Sequence, residues 1–445
     1  MSGGQSPKTG VDWAAPSPAW LAFGATALAL LAGFLIKNQC VVHAWADNFQ
    51  YRRLCYNDIQ PLWAPRGIRD GLLPFRDVPL EYPVLTGVFM DLAGRLLRVL
   101  SGAPSDRSYF VLSAALLAPF GFLVTGLLRP LVPARRLMIW AVGTPIVLYG
   151  FMNWDLLAVA AATWGLVAFR RSRNGWAGVA MAVGASAKLY PVFVMLALVL
   201  HRLARRDPKA ILRLVAGFAG AYVLINLPWL IISSGAPHAP AGFALTHPDV
   251  PLRSAGANGW LGVWLFHARR LIDYDTLWFW IAKHGQGAIK GVNWGEAYQK
   301  FVSLASLAMF GSGSLWLLWQ GWRRRAGGYP VAGVGLGILS VFLLTSKFYS
   351  PQYALWLAPL LALAAVPWPR IGAFLAADLA VFVSRFNFYI VSAAPASKWM
   401  TAFEVSVWLR AGALVAIVVW AALNCPPEAW DRAELGADSP ALAQD

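Results

Sequence analysis

The chain has 445 residues, 58% of them hydrophobic and 13% charged, with 23 Trp and a mean hydropathy of +0.54. A soluble domain carries about 25% charged residues, so the composition excludes a soluble enzyme, a disordered chain and a fibrous repeat. Lys and Arg number 37 against 21 Asp and Glu, a net charge of +16. In so apolar a chain the placement of those cations reports topology, and no nucleic-acid partner is expected.

Apolar runs bounded by Arg clusters, Pro or Gly predict twelve spans: 20–36, 108–128, 137–151, 155–169, 176–187, 190–201, 212–232, 299–319, 330–346, 352–366, 371–391 and 403–423. Several fall short of the ~20 residues a perpendicular helix needs, which a bundle tolerates when neighbours cover the helix ends. The first run follows a weakly cationic stretch with Lys8 only, and Ala44-Trp45-Ala46 lies well beyond it. It reads as an uncleaved span rather than a signal peptide. Cys40 and Cys55 fall in the loop after it and could form a disulfide. Cys425 stands apart.

Residues 83–100 need a separate reading. Asp91, Arg95 and Arg98 recur at helical spacing, while Val84, Leu85, Val88, Phe89, Leu92, Leu96 and Leu100 fall mainly on the other face. The pattern predicts an amphipathic helix along the membrane surface.

Four short loops are densely basic: 129–136, 170–173, 202–213 and 323–325. They hold 14 of the 37 Lys and Arg and one acid, Asp207. The positive-inside rule places all four in the cytoplasm, which requires a hinge near Lys188-Leu189-Tyr190-Pro191, where Pro breaks a helix. Both termini are then inside. Residues 1–425 form one transmembrane domain and 426–445, with Pro426-Pro427, a disordered cytoplasmic tail. The remaining polar segments face outward: loop 37–107, Asn153-Trp154-Asp155, Lys188, loop 233–298 and Thr345 to Gln352. Each Asp, Lys or Arg at membrane depth costs roughly 2.5–3.5 kcal/mol on insertion scales, so their gathering on one side suggests a shared site.

Loop 37–107 interleaves Asp47, Asp58, Asp70, Asp77 and Glu81 with Tyr56, Trp63, Phe75, Tyr82 and the prolines Pro61, Pro65, Pro74, Pro79 and Pro83. Such a loop is stiff and docks on the membrane. For any single acid, neutralising a nearby Arg is the simpler role. A carboxylate within hydrogen-bond reach of a sugar hydroxyl can also remove its proton.

Tyr56-Asn57-Asp58-Ile59, Gly67, Pro74-Phe75-Arg76-Asp77 and Glu81-Tyr82-Pro83-Val84-Leu85 together resemble the first periplasmic loop of the glycosyltransferase 87 family. Asn153-Trp154-Asp155, residues 184–191 (GASAKLYP) and residues 347–356 (KFYSPQYALW) are similar to later segments of that family. The resemblance thus extends from 56 to 356. It implies a GT-C fold: an all-α polytopic membrane protein of about 12 transmembrane helices, with amphipathic helices in its extracytoplasmic loops. It also implies a polyprenyl-phosphate sugar donor, mannosyl or arabinosyl transfer, and Asp58 as catalytic base. The chain departs from the family in the later large loop, where Arg253-Ser254-Ala255-Gly256-Ala257-Asn258-Gly259-Trp260 is only a loose match.

Lys188 follows four small residues, which admit a close-packed helix or a ligand. It reads either as a phosphate-binding point charge or as a lysine snorkelling to the interface. Lys347 opens a Pro turn with Ser350, Gln352 and Tyr353, either a ligand contact or a plain interfacial loop. Asp155 either caps the following helix or pairs with Lys188 or an Arg. With the resemblance, the expected set is Asp58 as base and Lys188, Lys347 and Arg253 on the donor phosphate. Tyr56, Asp77, Glu81, Tyr82, Asn153, Asp155, Tyr190, Ser350, Gln352 and Tyr353 would contact substrate. Asp273-Tyr274-Asp275 looks like the metal-nucleotide triplet of soluble glycosyltransferases, a common sequence in isolation. None of the six His forms a metal-ligand pair and no Walker loop is present, so neither metal nor cofactor is expected. The aromatic stretch 256–285 reads as an interfacial helix or as a wall for the donor lipid or the acceptor.

The expected function is inverting transfer of a sugar, mannose by resemblance, from a polyprenyl phosphate to a glycolipid or glycan acceptor. The partners are the bilayer, that donor and that acceptor, at the outer face of a bacterial plasma membrane. A transporter or flippase for a lipid or polyol is the alternative, although no internal repeat is visible. An accessory scaffold without activity is the third reading.

Overall fold

A computed structural model describes residues 18–43, 45–233, 259–286, 296–325, 328–391 and 397–426. The chain is all-helical among these residues. Helix α1 (Ala19–Val42) leads into the first loop, which carries α2 (Phe49–Arg52), α3 (Ile59–Trp63) and α4 (Val84–Leu100). Then come α5 (Asp106–Leu128), α6 (Ala134–Ala141), α7 (Thr144–Tyr149), α8 (Asp155–Arg170), α9 (Asn174–Ala187), α10 (Pro191–Ala204) and α11 (Pro208–Ser233). The second half holds α12 (Gly259–Arg269), α13 (Leu277–Gln286), α14 (Glu296–Arg323), α15 (Val331–Thr345), α16 (Ala354–Leu363), α17 (Trp368–Val391) and α18 (Lys398–Leu423).

Six of these, α1, α5, α11, α14, α17 and α18, are long and apolar enough to cross a membrane by length and composition. The other predicted spans are shorter helices of 6 to 16 residues. Their breaks follow from sequence. Gly143 is extended and Pro145 enters α7 in its first turn, splitting run 137–151 into α6 and α7. Lys188 is extended and Pro191 opens α10, so the expected hinge is present. Helix α9 packs against α11 through glycine: a Cβ on Gly178 would collide with the Leu214 carbonyl.

Contacts gather the basic loops at one end of the bundle. Arg136 donates to the Val366 carbonyl at 2.9 Å, and Arg324 to the Ala421 and Cys425 carbonyls at 2.8 and 3.0 Å. Arg202 reaches Asn174 at 3.0 Å, and His201 lies against both Phe169 and Tyr329. Asn153, Asp155, Lys188, Lys347 and the N-terminus of α18 lie at the opposite ends of the same helices.

One boundary and one helix face differ from the sequence reading. Helix α1 runs six residues past Ile36, so Lys37 and Cys40 lie on the helix and not in the loop. Both face inward, and the disulfide Cys40–Cys55, with a Cα–Cα distance of 5.5 Å, replaces solvent as the partner of that turn. In α4 Asp91 is buried and pairs at 2.7 Å with Arg95, whose side chain is exposed. Leu92, Val99 and Leu100 are exposed with Arg95 among them, while Val84, Leu85, Val88 and Phe89 of the predicted apolar face pack against the core. The tail 427–445, most of loop 233–298 and Arg253 lie outside the described residues.

Candidate active site

Loop one is built to present Asp58. Asn57, not Asp58, caps α3: its Oδ1 accepts from the Gln60 amide at 2.9 Å. The Asp58 carboxylate is therefore not consumed by the helix end. Its own amide donates to the Met152 carbonyl at 2.7 Å, which ties loop one to the Asn153-Trp154-Asp155 turn. Trp63 stacks on Tyr109 of α5 with centroids 5.0 Å apart and holds α3 down. Behind Asp58, the disulfide fixes Cys55, and Tyr56 packs among Trp45, Tyr51 and Phe386.

Two phenols hold the Asp58 carboxylate. Tyr56 donates to Oδ1 at 2.8 Å and Tyr82 to Oδ2 at 3.1 Å. Among the described residues no cation forms an ion pair with it. Burial raises its pKa above the usual carboxylate value of 3.8, against the pull of the Tyr56 hydrogen bond, the Lys188 charge and the Tyr82 hydrogen bond. Burial and the Asp58 charge push both phenols well above 10.0, so they remain donors.

Tyr82 joins the acid to a cation. Its ring lies edge-on to Trp154, and Lys188 Nζ sits 4.8 Å from its centroid. Lys188 also lies 5.8 Å from the Tyr353 ring and forms an ion pair with Asp155 at 2.9 Å. The second Asp155 oxygen accepts from the Trp356 indole at 2.8 Å. Asp155 is thus fully engaged by Lys188 and Trp356, and it does not cap α8 with its side chain. Asn153 Oδ1 instead accepts from the Asp155 amide at 2.9 Å. Asp155 opens α8 and Lys188 closes α9, each at the helix end whose dipole favours its charge. Tyr190 stacks on Trp356 with centroids 4.7 Å apart, and Tyr353 stacks on the same indole at 3.8 Å.

A second group of cations lies beside this cluster. Lys347 Nζ donates to the Ala268 carbonyl at 2.7 Å and to Ser303 Oγ at 3.1 Å. Burial and the neighbouring Arg270 lower its pKa below 10.5. Arg270 lies 4.9 Å from the Phe348 ring and pairs with Asp273 at 3.3 Å. His267 sits between the groups: its ring stacks on Phe348 and its Nε2 lies 3.1 Å from the Glu81 carbonyl oxygen. Burial, then Arg270 and Lys188, lowers its pKa to about 3, so the ring is neutral.

The structure brings together Asp58, Tyr56, Tyr82, Asn153, Asp155, Lys188, Tyr190 and Tyr353. Gln352, buried, and Ser350, half-buried, flank Tyr353 on the Pro351–Tyr353 turn, and Lys347 stands one residue before Phe348. Two acids are occupied elsewhere. Asp77 pairs with Arg76 at 2.7 Å on the surface, and Glu81 is gripped by Arg66 through contacts of 2.6 and 2.7 Å. The Glu81 carbonyl oxygen meets His267 at the edge of the cluster. The Asp273-Tyr274-Asp275 triplet is held by arginines, Asp273 by Arg270 and Asp275 by Arg385 at 3.1 Å. Arg270, His267, Trp356 and Lys37 were not picked out from sequence. Arg270 left a trace, three residues before a noted acid, and Trp356 closes the segment 347–356 already quoted.

No family model and no curated protein matches the sequence. Among solved structures, the apo crystal structure of the Archaeoglobus fulgidus oligosaccharyltransferase is similar to this chain with a TM-score of 0.41 and 15% identity. The match covers 92% of this chain and 57% of that one, so the chain spans just over half of its length. Likeness at this level does not separate one helical membrane protein from another.

Proposed function

We propose that the protein is a GT-C-like membrane glycosyltransferase of the glycosyltransferase 87 kind. It moves a sugar, mannose by resemblance, from a polyprenyl phosphate to a glycolipid or glycan acceptor on the extracytoplasmic side of a bacterial plasma membrane. The observation that carries this reading is the bridge made by Tyr82, whose hydroxyl holds Asp58 while its ring faces Lys188. An acid held only by neutral donors thus stands one side chain away from an oriented ammonium.

Asp58 takes the proton of the acceptor hydroxyl. The acceptor oxygen attacks the anomeric carbon, and the bond from that carbon to the phosphate oxygen breaks with inversion. The polyprenyl phosphate leaves with one more negative charge. Lys188 and Lys347 face that charge, and Arg270 stands where a further cation is wanted while Arg253 lies outside the described residues. Preorganised charge of this kind typically contributes about 2.7–4 kcal/mol per donor to the barrier. Lys188 has three N–H donors, of which Asp155 takes one. In this reading Asp155 orients Lys188 and does not touch the sugar.

The test is incubation of purified protein with radiolabelled polyprenyl-phosphate-mannose and total lipid extract. A mannosylated product made by the wild type and not by Asp58→Asn supports the reading. Donor consumed equally by both proteins contradicts it.

A further inference from the structure

Lys37 lies on α1 and is completely buried. It shares an inward face with Gly33 and Cys40. Its Nζ reaches the Leu54 carbonyl at 3.5 Å and sits 5.2 Å from the centroid of Phe382 on α17. Among the described residues no carboxylate forms an ion pair with it, and its carbonyl partner Leu54 lies four residues before Asp58. A cation at membrane depth is expensive to place, and by default it marks a functional site with a partner to be named. Leu54 is held at φ +55 between the disulfide partner Cys55 and the turn after α2, four residues before Asp58. Lys37 and the disulfide therefore grip the same short stretch of loop one.

We propose that Lys37 is a positioning residue for the Asp58 base: its ammonium, protonated on the acid side of neutrality, anchors the 54–58 segment from below through the Leu54 carbonyl. The inference rests on the reading of Asp58 as base. The other groups facing Asp58 are Tyr56, Tyr82, Glu81 and Lys188, with Arg385 of α17 acting on Tyr56. Glu81 is matched by Arg66 and Lys188 by Asp155. Lys37 has no such acid in direct contact. Removing a nearby cation disfavours an ionised carboxylate, so Asp58 would ionise at higher pH without it.

The test measures the pH dependence of mannose transfer from radiolabelled polyprenyl-phosphate-mannose by Lys37→Met, Lys37→Gln and Lys37→Arg, with Asp58→Asn alongside. Lys37→Gln keeps a donor for the Leu54 carbonyl and loses only the charge. In the Met and Gln variants the acid limb moves up by about one pH unit, a roughly tenfold loss of rate on that limb. KM for the donor is unchanged, and Lys37→Arg restores the limb. A limb in Lys37→Gln that coincides with the wild type overturns the inference. So does loss of the fold in the Gln and Arg variants alike, since the role is then packing. Activity in Asp58→Asn removes the base itself and the inference with it. An inactive Asp58→Asn beside an unshifted Lys37→Gln removes the role of Lys37 alone.

Discussion

Two buried clusters of charge sit near each other and are built on opposite principles. In the first, Asp58 is held by two phenols, and its cations stand back at ring distance. In the second, α17 and α18 cross through guanidinium contacts. Arg410 reaches Asp378 at 3.4 Å and the Asp275 carbonyl at 3.0 Å and lies flat on Tyr349, while Tyr149 donates to Asp378 at 2.7 Å. Arg385 adds Asp275 at 3.1 Å. Asp378 is held by a guanidinium as well as by the Tyr149 phenol, and breaking that ion pair strands a charge in a dry site. A carboxylate held by phenols keeps a lone pair for an incoming hydroxyl. The second cluster joins helices, and in the first no cation among the described residues touches the carboxylate. Both look alike as buried acids in the sequence, and only the partner separates them.

That contrast can be broken by experiment. The largest stability effect belongs to the guanidinium cluster: Arg410→Met leaves Asp378 unpaired and is expected to lose about 3–5 kcal/mol in detergent unfolding. Combined with Asp378→Asn it should lose less than the two single variants together. Next comes Lys188→Met, for which transfer should fall about a hundredfold or more, with Asp155→Asn following it at a smaller loss. If Asp155→Asn proves the more damaging, Asp155 acts on substrate and not through Lys188. Tyr82→Phe should cost about tenfold in rate on the acid limb and move that limb to higher pH, since a hydrogen bond to the charged carboxylate is lost. A limb that stays in place would detach Tyr82 from the base.

The smallest effect is one of linkage. The folded pKa of Asp58 is raised by burial, so its protonated form favours the fold. That contribution is complete below the unfolded value and is lost as pH rises through the folded one. Asp58→Asn should therefore be slightly more stable than the wild type at neutral pH, by about 1 kcal/mol or less, with the gain vanishing at acid pH. For the same reason the wild-type rate should fall on acidification with a midpoint above 3.8.

Much of the helical framework was legible because it is local. The hinge at Pro191 and the helix over 83–100 are written in the pattern of apolar, small and basic residues, whereas the break near Gly143 inside the predicted span 137–151 was not anticipated. Cys40 and Cys55 were legible as a possible pair because both follow the first span in what reads as one external loop. The contacts that define the site were less so. Nothing near Asp155 in the sequence names Trp356, 201 positions away, as its partner. The apolar run that marked the first span stops at Ile36, so Lys37 read as the first solvated residue of the loop, whereas α1 continues and buries it. Asp77 and Glu81 share a motif with Asp58, yet Arg76 and Arg66 take them.

The most direct measurement sets Asp58→Asn beside Asp378→Asn and follows both mannose transfer and unfolding. Asp58→Asn is expected to fold as well as the wild type while its rate falls about 10²–10⁴-fold. Asp378→Asn is expected to unfold more easily while the protein that remains folded still transfers sugar. Transfer at the wild-type rate by a folded Asp58→Asn would contradict the account.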